Sequence, residues 1–142
     1  MKISGKTDYA CRAILQLALY WPNEKPLQVE DIAKKQDIPM KFLTHILIQL
    51  KQLGFVQSMR GNQGGYVLLK SPREITLADV VKSFSSDRIT PAKSKRAANK
   101  KDVINILLEE ADEKYLAFIQ GISFEDIVKR VQQFDKVHVY AI

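Results

Sequence analysis

The chain has 142 residues, of which 46% are hydrophobic and 27% charged, and a formal net charge of +6. That length holds one domain or a small domain with an appendage, and that balance belongs to a globular protein rather than a disordered one. The longest apolar stretch, Ala13 to Trp21, is too short for a bilayer and contains Gln16, and a single cysteine makes neither an internal disulfide nor a four-sulfur metal site.

Asp8 and Arg12 sit where a signal peptide needs its apolar centre, so a reducing cytoplasm and no membrane are expected. The charge is segregated: residues 1–90 carry +5, residues 91–101 another +5, and residues 102–142 carry −4. A basic front and an acidic back point to a face for nucleic acid.

In chain order, Thr7 is positioned to cap a first helix to about Tyr20, with Ala10, Ala13, Ile14, Leu17, Ala18 and Trp21 at helical spacing. Gln28–Gln36 reads as a second helix and Asp37-Ile38-Pro39 as a turn. A third helix over 40–53 places Leu43, Ile46, Leu47, Leu50 and Leu53 on one face and ends at Gly54. Its other face carries Lys41, Thr44, His45, Ile48, Lys51 and Gln52. Two strand-like runs, Phe55–Met59 and Tyr66–Leu69, then flank an acid-free tip with Arg60, Gly61, Asn62, Gln63, Gly64 and Gly65. Thr76 with Asp79 starts a short fourth helix.

Residues 85–101 lack large apolar residues except Ile89 and read as a basic linker. A long helix over 102–120 is apolar around more than a narrow stripe, which calls for a partner; a second copy of the chain is the simplest. Ile106, Leu107, Tyr115, Leu116 and Ile119 are the expected dimerisation residues. Ser123 with Asp126 caps a last helix to roughly Phe134, and Val137–Ile142 alternates like a strand end.

The predicted fold is mainly α with a small β wing: a winged helix-turn-helix over 1–84, the linker, and a dimerisation helix plus C-terminal helix over 102–142. The expected partner is double-stranded DNA carrying a palindromic operator. Lys41 and Lys51 are placed to hold phosphates, while Thr44, His45 and Ile48 are placed to reach base edges. Arg60 is placed for a minor groove, with Asn62, Gln63 and Tyr66 beside it. The basic run Lys93, Lys95, Arg96, Lys100 and Lys101 either grips phosphate or is a solvated linker. With no phosphate-binding glycine loop, two-histidine helix or nucleophile elbow, no catalysis, cofactor or metal is expected.

Several segments, in order, resemble one family: Thr7-Asp8-Tyr9-Ala10, Asp31-Ile32-Ala33, Gly54-Phe55-Val56, Arg60-Gly61-Asn62-Gln63-Gly64-Gly65-Tyr66, Ile75-Thr76-Leu77-Ala78-Asp79-Val80-Val81 and Ile122-Ser123-Phe124-Glu125-Asp126-Ile127. The whole is similar to bacterial regulators of the IscR, NsrR and CymR type. That resemblance implies a homodimeric winged-helix transcription factor, usually a repressor, whose long helix crosses to the other subunit. It also implies minor-groove entry by Arg60 and major-groove reading around Met40–His45. Thr44 departs from the glutamate that many relatives carry. The three cysteines that cluster-binding members place before the long helix are missing here, so iron–sulfur sensing is not expected. Cys11 is either a sensing thiol or a packed one. The rival expectation is an interaction protein that has lost specific DNA binding and acts through a regulatory protein partner or enzyme.

Overall fold

A computed structural model of the chain describes residues 3–85 and 102–140. Along the chain run α1 (Gly5–Leu19), α2 (Val29–Gln36), α3 (Met40–Gln52), β1 (Val56–Met59), β2 (Gly65–Leu68), a 3-10 turn (Pro72–Glu74), α4 (Leu77–Phe84), α5 (Val103–Gln120) and α6 (Phe124–Tyr140). The expected linker lies outside the described residues except for Ser85, and its basic run lies outside with it.

α1 is the central element. Ala10, Ala13, Ile14 and Leu17 are fully buried, and α2, α3, α4 and α6 all pack around it. The cap of α1 is Ser4, not Thr7: Ser4 has extended backbone and its Oγ accepts from the Thr7 N–H. A capping side chain must come from the residue just outside the helix. Thr7 lies in the first turn, buried, with its hydroxyl 3.0 Å from Ser4 Oγ.

Asp37 closes α2 in the left-handed conformation at φ 52°, and Pro39 opens α3 at φ −59°. α3 ends in a Schellman turn: the Gly54 N–H donates to the Lys51 carbonyl and the Phe55 N–H to the Leu50 carbonyl. Gly54 adopts φ 82°, which only glycine reaches without strain. This turn corrects the expected inward face, because Leu53 falls at the cap, where the helix is already unwinding, and is 48% exposed.

β1 and β2 pair antiparallel with Val56 opposite Leu68 and Met59 opposite Gly65. The other edge of β2 is covered too. Leu27 and Tyr66 exchange both backbone hydrogen bonds, at 3.0 and 2.8 Å. Asn23, buried at φ 57°, donates from Nδ2 to the Leu17 carbonyl and accepts at Oδ1 from the Leu68 N–H. The end of α1 is thereby tied to the wing.

Thr76 with Asp79 and Ser123 with Asp126 form reciprocal capping boxes. Two hydrogen bonds join them: the Leu77 N–H to the Ile122 carbonyl and the Phe124 N–H to the Ile75 carbonyl. Donation by the Ser123 backbone, then by its hydroxyl, holds the Asp126 carboxyl below its usual range. Phe124 enters the same core as α1. α6 continues beyond Phe134 to Tyr140, so residues 137–140 are helical where a strand is expected; residues 141 and 142 lie outside the described residues. A helix satisfies its backbone locally, whereas a strand needs a neighbouring edge. No helix among the described residues is long and apolar enough to cross a membrane.

Candidate nucleic-acid interface

The outward face of α3 follows from its inward one. With Leu43, Ile46, Leu47 and Leu50 buried, helical spacing turns Lys41, Thr44, His45, Ile48, Lys51 and Gln52 outward, and all six are exposed. No acid lies anywhere on α3. Lys41 Nζ stands 5.0 Å from the centroid of the Phe42 ring. Thr44 Oγ1 donates to the Met40 carbonyl at 2.9 Å, so its hydroxyl proton is held inside the helix.

Lys51 Nζ donates to Ser58 Oγ on β1 at 2.8 Å, fastening the far end of the helix face to the wing. The wing is also held from the residue that precedes α2, where Gln28 Nε2 reaches the Asn62 carbonyl at 3.5 Å. Arg60, Asn62 and Gln63 are exposed at the tip. Arg60 forms no ion pair among the described residues, where the pairs are Arg12–Asp8 and Lys129–Glu125. Tyr66 differs from these three, since its half-buried ring packs against the main core.

Backbone proximity dictates the wing's glycines. A Cβ at Gly65 would stand 2.2 Å from the Leu27 carbonyl oxygen, and one at Gly64 would stand 2.4 Å from that of Met59. The tip is therefore a close-packed, acid-free projection beside α3.

Two features were not foreseen. Phe42 is exposed on α3 and stacks on Tyr9 of α1, with centroids 6.2 Å apart and planes 26° apart. Its position off the apolar stripe was the available signal. The other is Asn23, the buried link between α1 and the wing.

The five expected dimerisation residues separate. Ile119 is buried against Ala78 and Val81 of its own chain, with Tyr115 and Leu116 half-buried beside it. Ile106 and Leu107 are exposed, as are Val103, Ile104, Leu108 and Phe118.

A protein-family model described as Rrf2, iron-dependent transcriptional regulator, matches residues 3–130. The chain belongs to the Rrf2 family. A putative rrf2-like regulator of Rhodobacter capsulatus is 33% identical, covering 89% of this chain and 91% of its own. The regulator IscR of Xenorhabdus nematophila is 30% identical, covering 95% and 84%. Among solved structures, T. potens IscR superposes with a TM-score of 0.76 at 26% identity, covering 92% of this chain and 88% of its own. CymR of B. subtilis, the global cysteine regulator, gives 0.76 at 25% identity, covering 92% and 98%. This Rrf2 protein thus has the winged-helix fold of a transcriptional regulator and not of an enzyme.

The iron of the family's description needs ligands, and the donor set here does not fit a thiolate-held cluster. Cys11 is the one cysteine of the whole chain. It is partly buried between the two apolar clusters, and its pKa is pushed up to about 12, first by burial and then by Asp8, with Arg12 opposing. Asp8 is engaged by Arg12 at 2.9 Å. No group of three or more His, Cys, Asp or Glu placed to hold a metal occurs among the described residues.

Proposed function

We propose that this Rrf2 protein is a homodimeric, cluster-free repressor that binds a palindromic operator, with one α3 in each of two successive major grooves and the Arg60 wings alongside. The observation that carries this proposal is the Lys51–Ser58 bond, which holds an acid-free helix face and an acid-free wing as one surface. Lys41, Lys51 and the wing backbone position the protein, while Thr44, His45, Ile48 and Arg60 contact bases. The exposed apolar side of α5, led by Ile106 and Leu107, is where the second copy packs. The cytoplasm is the expected compartment, and the signal reaches the DNA-binding halves through α5.

Fluorescence anisotropy against the gene's own upstream DNA, with random DNA as control and across salt concentrations, tests this. A tighter upstream complex that survives physiological salt is expected. Arg60→Ala should cost about 1–3 kcal/mol of that affinity. Equal, steeply salt-weakened binding to both DNAs would overturn sequence-specific recognition and favour action through a protein partner. A monomer in sedimentation would overturn the dimer.

A further inference from the structure

We propose that Met40, Thr44 and Ile48 form an apolar stripe that reads thymine 5-methyl groups, so that each operator half-site carries thymines at two nearby major-groove positions. The inference rests on the DNA-binding role proposed above and names what the helix reads. The three residues lie at i, i+4 and i+8 on α3, so they run along one side of the helix. Met40 and Ile48 are 42% and 45% exposed, large apolar side chains with nothing of their own chain to cover them fully.

Thr44 between them offers its methyl, because its hydroxyl proton is already donated to the Met40 carbonyl. A threonine in this state does not donate to a base, and Thr44 is exposed. Thymine alone among the four bases presents a methyl group in the major groove, and apolar contact is how side chains recognise it. The absence of any acid on α3 removes the carboxylate that would accept from the cytosine amine. Residues four apart on a helix are about 6 Å apart along its axis. Base steps are about 3.4 Å, so Thr44 and Ile48 meet methyls about two steps apart.

The test begins with selection of the full-length protein on a random duplex library. Each thymine of the enriched site is then replaced by deoxyuridine, which pairs identically and lacks only the methyl. The expected result is a loss of about fourfold at each of two positions per half-site, the worth of one buried methyl-sized group. Ile48→Ala should erase the thymine preference at one position. Thr44→Ser should erase it at the other, while Thr44→Val, which keeps a methyl and discards the hydroxyl, should preserve it. Equal affinity for thymine and deoxyuridine sites overturns the proposal, as does loss of discrimination in Thr44→Val but not in Thr44→Ser. A library that enriches no sequence overturns it together with the DNA-binding role, and the two failures are thereby told apart.

Discussion

Replacing Gly65 by alanine should damage the wing more than any other single-methyl change in it. The added Cβ would lie 2.2 Å from the Leu27 carbonyl oxygen, 2.6 Å from its carbon and 3.0 Å from the Gln28 nitrogen. All three are backbone atoms, so no side chain can rotate away. Either β2 or the Leu27 segment must move, and the two bridge hydrogen bonds between Leu27 and Tyr66 then open. Two net hydrogen bonds plus the overpacking amount to about 2–6 kcal/mol. Gly61→Ala is the matched control. It sits at φ +113° with open space around it, so it carries backbone strain alone, on the order of 1 kcal/mol. Urea unfolding followed by circular dichroism compares the two. If Gly65→Ala is no less stable than Gly61→Ala, the steric account of this wing is wrong.

Asn23→Ala leaves the buried Leu68 N–H without its acceptor, while the Leu17 carbonyl keeps the Tyr20 N–H, and should cost about 1–3 kcal/mol in the same unfolding assay. Thr76→Ala and Ser123→Ala each remove a cap and should cost about 1 kcal/mol, visible as a lower Tm. Cys11, its pKa raised from 9.0 to about 12, should resist iodoacetamide at pH 8 in the folded protein and react in urea. Because the folded pKa lies above the unfolded one, its contribution to stability is complete below about pH 9 and is lost as the pH rises towards 12, which denaturant midpoints across that range would reveal.

The helices of the chain were legible because burial imposes a period: Leu43, Ile46, Leu47 and Leu50 declare the inner face of α3 and leave its outer face by subtraction. The hairpin was legible from Gly61, Gly64 and Gly65, whose spacing has few other uses. Ends were harder. Ser4 and Thr7 are both capping residues three positions apart, and only geometry chooses Ser4. Leu53 keeps the apolar period one residue past the point where Gly54 breaks the helix. Val137 and Val139 alternate as strand residues do, yet both belong to α6. Within the site, the outer residues of α3 and the tip were visible, but the tethers were not. Lys51–Ser58, Gln28–Asn62 and Asn23–Leu68 each join residues that only the fold brings together.

The bridge between Thr76 and Ser123 joins the start of α4 to a segment that is synthesised well after it. The elements from α1 to α4 have all been made by residue 84, yet their core still lacks Phe124, which is 1% exposed and seated among residues of the first helices. A chain still emerging at that point has an open hydrophobic slot where α6 will go. Leaving a phenylalanine out of a core costs about 3–5 kcal/mol, a large share of a small domain's stability. The core around α1 therefore closes only after α5 and the start of α6 have also been translated.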